Sequence, residues 1–204
     1  MPLSPRIYLA SRSPRRRELL HQINVSFESL LFRSDSREDT GIGEEAMINE
    51  DVQTYVVRVA HLKARTGVTL MRQRRLIPQL VLAADTTVEV DGEILGKPEN
   101  TEQAVAMLQK LAGRTHRVLT AVALADDDRI EQALSISEVR MRAIEPNEIR
   151  RYVATGEPID KAGGYAIQGR AAMFIEEIKG SYSGIMGLPL FETVRLLRLF
   201  NYPV

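Results

Sequence analysis

The segment YLASRSPRRREL, residues 8–19, places two serines and three consecutive arginines between a predicted strand and a predicted helix. A helix N-terminus presents unpaired N–H groups and the positive end of the helix dipole, so such a segment suits an anion. Ser13 can cap the helix, and Pro14 fits its first turn. Arginines 15–17 destabilise an isolated helix, because their positive charge meets the positive end of the helix dipole. A bound polyphosphate would offset this repulsion. Alternatively, they face solvent or pair with acids such as Glu18.

A second candidate is the aspartate of VLAADTTVEV, residues 81–90. Asp85 follows four apolar residues, which predicts that it lies at or near the end of a buried strand, where α/β proteins tend to place chemistry. A carboxylate there can bind a divalent metal or take a proton from water. An aspartate at a strand end can also serve only to form a turn.

Two lysines and a glycine-rich segment are weaker candidates. Lys63 lies late in a predicted helix, and Lys97 precedes a proline; each by itself is expected to face solvent. Three glycines in DKAGGYAIQGR, residues 160–170, permit close approach of backbone to a ligand. Gln168 in that segment could read a base edge with its paired donor and acceptor. A glycine-rich segment can equally be an ordinary loop.

Other catalytic motifs are incomplete. GSYSG, residues 180–184, has the glycine spacing of a serine-hydrolase elbow, but Tyr182 stands where the serine belongs and all three histidines precede it. GYAIQGR, residues 164–170, has the glycine spacing of a P-loop but continues Arg-Ala instead of Lys-Ser/Thr. The histidines form no i, i+4 pair, which disfavours a zinc site.

Composition bounds the class of protein. The 204 residues can form one sizeable core or two lobes that share a cleft. Lys+Arg and Asp+Glu are both 27, and this zero net charge disfavours a general nucleic-acid or anionic-membrane binder. The absence of cysteine excludes disulfides and thiolate chemistry. We find no signal-peptide core and no membrane-span run, so the expected location is the cytoplasm.

The elements that must position these residues alternate along the chain. The hydrophobic pattern predicts strands at 7–10, 26–32, 79–98 (two segments around an Asp91-Gly92 turn), 116–126, 130–144 and 173–178. It predicts helices at 15–23, 51–66 with Gly67 as stop, 101–113 with Thr101 as N-cap, 145–156 and 189–200. A polar stretch at 33–50 reads as a loop, and no linker divides the chain. We therefore expect a mixed α/β sheet in a single domain spanning 1–204.

Six segments in this order resemble the Maf-like nucleoside triphosphate pyrophosphatase family, from about residue 7 to residue 200. They are ASRSPRRREL, YVVRVAHLKA, LAADTTVEVDGEILGKP, LQKLAGRTHRVLTAVAL, YVATGEPIDKAGGYAIQG and GSYSGIMGLPLFET. The resemblance implies an elongated mixed β-sheet flanked by helices, with two lobes around a central nucleotide-binding cleft, a Maf/ITPase-like fold. It implies hydrolysis of a nucleotide between its α- and β-phosphates, a divalent cation (Mg²⁺ or Mn²⁺) and a homodimer.

The resemblance also implies roles for individual residues. Asp85 corresponds to the aspartate described as the proton acceptor that activates water. The dTTP/UTP branch of the family carries arginine, threonine and glutamine at three base-reading positions, which here are Arg15, Thr86 and Gln168. The branch acting on 7-methyl-GTP has a tryptophan in the Ser-Pro loop and a glutamate in place of the glutamine. The phosphate-binding residues implied by the resemblance are Ser11, Arg16, Lys63 and Lys97.

One stretch departs from the family pattern. Family members often carry a short acidic loop after the second strand, whereas this chain reads SDSRED, with Arg37 where an acid is expected. Glu38 is the residue carried over as a metal or catalytic carboxylate, with Asp35 and Asp39 as alternatives.

The sequence therefore predicts a pyrophosphatase of dTTP and UTP, and of modified pyrimidine nucleotides as a further possibility, with a housecleaning and cell-division-arrest role. Two alternatives are the same chemistry on 7-methyl-GTP and a nucleotide-binding regulator of septum formation. We expect a small-molecule nucleotide substrate, no nucleic-acid partner and no membrane association.

Overall fold

Strands and helices interleave along the chain, as the sequence predicts. The computed structural model describes residues 5–32, 46–48 and 50–204. Its elements are β1 (Ile7–Leu9), α1 (Pro14–Gln22), β2 (Phe27–Ser29), α2 (Val52–Gln73), β3 (Val81–Val90), β4 (Glu93–Leu95), α3 (Thr101–Leu111), β5 (Thr115–Ala125), β6 (Ile130–Met141), α4 (Pro146–Val153), β7 (Ile175–Lys179), α5 (Tyr182–Met186) and α6 (Leu190–Leu199). Two 3₁₀ segments, Ala162–Gly164 and Arg170–Phe174, precede β7.

The strands form a mixed sheet. The order is β2-β1-β3-β5-β6-β7, and β4 pairs with β3. β1 is parallel to both β2 and β3, whereas the β3–β4 and β6–β7 pairs are antiparallel. The register aligns Leu9 of β1 with Leu82 of β3. The prediction of a mixed sheet flanked by helices is confirmed.

The chain divides into two compact units. The first contains the residues up to Asp85 together with Thr120–Leu134 and Gly187–Val204; the second contains Thr86–Leu119 and Ser135–Met186. Each unit buries its own apolar residues, for example Leu20, Val56 and Leu82 in the first. In the second, the buried cluster draws on strands and helices from Val88 to Ile185. The single-domain description stays a prediction, as do the elongated shape and the cleft between lobes.

Helix α2 corrects one expectation. It does not end at Gly67 but continues to Gln73. Gly67 is buried, and a Cβ there would lie 2.6 Å from Cγ1 of Val81 and 3.4 Å from Cβ of Ala10. The glycine therefore allows α2 to pack closely against β3, which outweighs the roughly 1 kcal/mol by which glycine disfavours a helix.

The ends of other elements confirm some local signals and correct one. Asp91 and Gly92 both adopt positive φ, +55° and +79°, as the tight hairpin between β3 and β4 requires. Thr101 is not the N-cap of α3; Asn100 is, because its side chain accepts the N–H of Gln103 at 2.8 Å. Gly113, just past α3, has φ +70°, as expected of a residue that ends a helix.

Near the C-terminus the predicted elements shift by a few residues. β7 begins at Ile175 rather than at residue 173, because a 3₁₀ segment occupies 170–174. The short helix α5 falls between the predicted strand at 173–178 and the predicted helix at 189–200, where the hydrophobic pattern assigns no element. Among the residues that the structure describes, no helix combines the length and the apolar composition that a membrane span requires.

Candidate active site

Asp85 lies in the interior of β3, so the prediction that it occupies the end of a strand is wrong. β3 continues beyond it because Val88, Glu89 and Val90 pair with β4 in the hairpin. The neighbouring strand β1 ends at Leu9, opposite Leu82. Asp85 therefore lies three residues past the point where its parallel neighbour stops. Because β1 ends before Asp85, a ligand bound at the segment that follows β1 could contact this carboxylate although it lies in mid-strand.

Lys63 binds Asp85 directly. Its Nζ atom donates a hydrogen bond of 2.8 Å to Oδ1 of Asp85, and each side chain is only 14% exposed. Lys63 precedes Gly67 by one helical turn, on the side of α2 that packs against β3. The close approach at Gly67 thus brings the lysine within reach of the strand. The expectation that Lys63 faces solvent is wrong.

Ser11 organises the start of α1. Its Oγ atom accepts the N–H of Ser13 and a hydrogen bond from Nη1 of Arg16, both at 3.2 Å. Nε of Arg16 donates to the carbonyl of Gly187 at 2.7 Å. Ser13 occupies the N-cap position, but its side chain makes no capping hydrogen bond, contrary to the expectation that it caps the helix. The buried Ser11 hydroxyl therefore holds the arginine at the helix entrance.

Arg15 and Arg16 are both half-buried in the first turn of α1, in the same unit as Asp85. Ser11, Arg15 and Arg16 place a hydroxyl and two guanidinium groups at the positive end of the helix dipole. This is the chemistry that an anionic ligand requires, and guanidinium groups match phosphate in shape as well as charge.

The second unit carries Thr86, Lys97 and Gln168. Thr86 follows Asp85 in β3 and is half-buried. Lys97 and Gln168 are exposed, and within the described ranges neither side chain takes part in a hydrogen bond or ion pair. The backbone joins their segments, because Gly163 N–H donates to the carbonyl of Gly96 at 3.0 Å. Gly163 has φ +68° and a Cβ there would lie 2.9 Å from Val88, so only glycine fits.

The structure brings together some of the predicted residues. It pairs Lys63 with Asp85 and Ser11 with Arg16 in the first unit. Glu38 and its alternatives Asp35 and Asp39 lie outside the described residues. Two contributors to the site are not predicted as such from the sequence: the carbonyl of Gly187, whose position depends on long-range folding, and Gly67, which the helical pattern presents as a helix stop. The spacing of Lys63 and Gly67 on one helix face could have indicated the close packing.

The residues present are compatible with one divalent cation. No group of three or more potential metal-binding side chains occurs within the described part of the chain. Mg²⁺, however, is usually bound through one or two carboxylates together with substrate phosphates and water. The Asp85 carboxylate uses Oδ1 for Lys63, and two carboxylate oxygens offer about four acceptor positions in all. Asp85 thus fits the part of a single carboxylate ligand.

A family model described as Maf-like protein matches residues 6–200. The chain belongs to this Maf family. Full-length relatives agree: a protein of Aromatoleum aromaticum named dTTP/UTP pyrophosphatase is 58% identical over 204 residues, covering 100% of this chain and 99% of the relative. A protein of the same name from Dechloromonas aromatica is 49% identical, covering 97% of this chain and 98% of the relative. The family membership predicted from the six segments is confirmed.

The fold has a counterpart among solved structures. The Staphylococcus aureus Ham1 protein aligns with this Maf-family chain at a TM-score of 0.50 and 14% identity, covering 96% of this chain and 97% of that one. The likeness concerns the fold alone. The predicted Maf/ITPase-like class, a mixed sheet flanked by helices, is confirmed.

Proposed function

We propose that the protein is a nucleoside triphosphate pyrophosphatase that hydrolyses dTTP and UTP to the monophosphate and pyrophosphate. The observation that carries the proposal is the 58% identity, over the whole chain, to a protein named dTTP/UTP pyrophosphatase. The arrangement of Asp85, Lys63, Ser11 and Arg16 supports it, because a carboxylate and a helix start that carries a hydroxyl and a guanidinium group lie in one compact unit.

The proposed reaction is an in-line attack by water on the α-phosphorus. The water oxygen forms a bond to phosphorus, the bond to the α–β bridging oxygen breaks, and pyrophosphate leaves. Asp85 accepts the proton that the water loses. Catalysis of this kind depends on positioning and on electrostatic stabilisation, so the protein needs no covalent nucleophile.

The cations have different tasks in this proposal. Lys63 holds Asp85 in place through its hydrogen bond of 2.8 Å, so we assign it first to orienting the proton acceptor. Arg16, fixed by Ser11 and the carbonyl of Gly187, binds phosphate at the start of α1. Lys97 is exposed and has no partner among the described side chains, so its ammonium can bind the β- and γ-phosphates equally in the bound substrate and in the transition state.

A divalent cation, Mg²⁺ or Mn²⁺, is part of the proposal. Asp85 is the described residue that would hold it, with Glu38, Asp35 or Asp39 as further candidates from the sequence. Such an ion, when bound, neutralises phosphate charge and polarises phosphoryl oxygens.

Selectivity is assigned to Arg15, Thr86 and Gln168, the residue types of the dTTP/UTP branch. The amide of Gln168 offers a donor and an acceptor, which matches the edge of a uracil or thymine ring. A site built for those hydrogen bonds leaves groups unpaired against another base and so rejects it. The chain contains no tryptophan, the residue that marks the 7-methyl-GTP branch.

Several further expectations stay predictions from the sequence and the family. These are the cytoplasmic location, the homodimer, the absence of nucleic-acid and membrane partners, action on modified pyrimidine nucleotides, and the role in cell division. The experiment that tests the proposed function is a panel of nucleoside triphosphates assayed for both pyrophosphate and orthophosphate, with and without divalent metal. We expect pyrophosphate from dTTP and UTP; orthophosphate as the product would contradict the assigned bond.

A further inference from the structure

Gln168 lies between two segments of the second unit that are fixed in different ways. On its N-terminal side, Tyr165, Ala166 and Ile167 are buried, each with no more than 6% of its surface exposed. On its C-terminal side, the backbone of Arg170 and Ala171 is held by a side chain from elsewhere, Glu157. The exposed Gln168 side chain therefore projects from a turn whose two ends are anchored.

Glu157 binds this turn through both carboxylate oxygens. Oε2 accepts the N–H of Arg170 at 3.0 Å, and Oε1 accepts the N–H of Ala171 at 3.4 Å. These N–H groups open the 3₁₀ segment Arg170–Phe174, where the backbone has no earlier carbonyl to serve them. Bonds from N–H groups to a carboxylate are stronger than neutral ones, so this carboxylate is suited to fixing the backbone.

Gly169 permits the contact. A Cβ at this position would lie 2.3 Å from Oε1 of Glu157 and 2.8 Å from Oε2, far inside the normal contact distance. Its N–H also donates to the carbonyl of Ala166 at 3.0 Å, which closes the turn around Gln168. A side chain directly after Gln168 would therefore displace the Glu157 carboxylate from the position in which it contacts the turn.

The carboxylate is itself held from the other side by Tyr152. The buried Tyr152 hydroxyl donates to Oε1 at 2.9 Å, and its ring packs edge-on against Phe174 with ring centres 5.5 Å apart. Burial and the neighbouring Glu157 raise the pKa of the Tyr152 hydroxyl, which keeps it a donor. Glu157 therefore has a fixed position from which to hold the turn.

We propose that Glu157 is a positioning residue for base recognition: its carboxylate, by holding the backbone of Arg170 and Ala171, sets the direction in which Gln168 presents its amide to a pyrimidine. This inference rests on the proposed function, because it takes Gln168 to contact the base. It adds a residue that does not itself touch the nucleotide.

The test compares Glu157→Gln with Tyr152→Phe. A glutamine has one acceptor oxygen and one NH₂ group, so one backbone N–H of the turn would face another donor. Tyr152→Phe removes one support of the same carboxylate but keeps its negative charge and both of its backbone contacts, so it is the comparison in which a smaller effect is expected. Both variants are measured at a temperature at which circular dichroism shows them folded.

Two readouts are used, and neither requires turnover. Amide hydrogen exchange follows Arg170 and Ala171, and calorimetry gives the affinity for UMP relative to CMP. For Glu157→Gln we expect Arg170 to exchange about 10-fold faster and the UMP preference to fall about 5-fold or more, the effect of losing a charge-assisted hydrogen bond. For Tyr152→Phe we expect a preference within about 2-fold of the wild type, alongside a lower melting temperature.

Three results would overturn the inference. They are an unchanged UMP preference in Glu157→Gln, an equal loss of preference in Tyr152→Phe, and a wild-type protein that binds CMP as well as UMP. Failure of the proposed function is separate, because it is read from pyrophosphate release by the wild type. A wild type that prefers UMP but releases no pyrophosphate would contradict the enzyme assignment. The comparison of UMP and CMP affinities would still test the role of Glu157 in that case.

Discussion

The ammonium group of Lys63 lies 2.8 Å from Oδ1 of Asp85, and the two residues are 22 positions apart in the sequence. The contact joins the middle of α2 to the middle of β3. Both side chains are 14% exposed, so solvent screens their attraction less than it does for a surface pair. One of the three N–H donors of the Lys63 ammonium is used by the Asp85 carboxylate, so we assign this lysine first to orienting Asp85.

Replacing Lys63 should therefore affect turnover rather than substrate affinity. We expect Lys63→Met to lower kcat for UTP about 100-fold, with KM changing less than about 3-fold, because the proton acceptor loses its orientation. Steady-state kinetics gives both constants. Lys97→Met is the matched control, since Lys97 has no partner among the described side chains, and we expect KM to rise about 10-fold with kcat nearly unchanged. A Lys63 variant with raised KM and normal kcat would instead make it a phosphate ligand.

The hydroxyl of Ser11 should matter more than that of Ser13. Ser11→Ala removes the acceptor that holds Arg16, and we expect KM for UTP to rise about 5- to 10-fold, the value of roughly one hydrogen bond. Ser13→Ala should change KM less than about 2-fold, because the Ser13 side chain makes no capping hydrogen bond. Equal effects of the two substitutions would contradict the assignment of Ser11.

Gly67 should not tolerate a methyl group. In an ordinary exposed helix, glycine to alanine stabilises by about 1 kcal/mol, but here the new Cβ would lie 2.6 Å from Val81. We expect Gly67→Ala to lower the free energy of unfolding by about 1–3 kcal/mol, the usual cost of overpacking a core. Urea denaturation measures it. Gly96→Ala is the control, because a Cβ there meets nothing within 4 Å, and a destabilised Gly96→Ala together with a neutral Gly67→Ala would contradict the packing argument.

The sequence predicts most of the secondary structure and the candidate site residues, but not the contacts between them. Amphipathic patterns and turn residues such as Asp91-Gly92 identified most strands and helices, because those signals are local. The helix stop predicted at Gly67 is wrong for the same reason. A glycine is a local stop signal, whereas the contact with Val81 that favours a glycine inside α2 is long-range. Residue types also selected Asp85 and Lys63 as candidates, yet their pairing depends on how a helix packs on a sheet.

The buried His116 should make the protein sensitive to mild acid. Its Nε2 lies 2.7 Å from the hydroxyl of Tyr165, and Nδ1 has no hydrogen-bond partner in the described structure. Burial lowers the pKa of His116 from 6.5 to about 4. Between these two pH values the imidazole is protonated in the unfolded chain and neutral in the folded one. The stabilisation is complete above pH 6.5 and is lost as the pH falls towards 4.

Between pH 7 and pH 4.5 we expect this histidine to remove about 2–3 kcal/mol from the free energy of unfolding. Denaturant titrations across that range measure the slope against pH. His116→Phe should flatten the slope, whereas His21→Asn, which removes an exposed histidine, should keep it. A wild type and a His116→Phe variant with parallel slopes would show that the histidine is not the cause.

The central claim is that Asp85 accepts the proton of the water that attacks the α-phosphorus. The most direct measurement is pyrophosphate release from UTP by Asp85→Asn and by the wild type at saturating substrate. Asparagine keeps the size of the side chain but is not a base, so we predict at least about a 100-fold loss of kcat with UMP binding retained. A variant that releases pyrophosphate at more than about a third of the wild-type rate would contradict the claim.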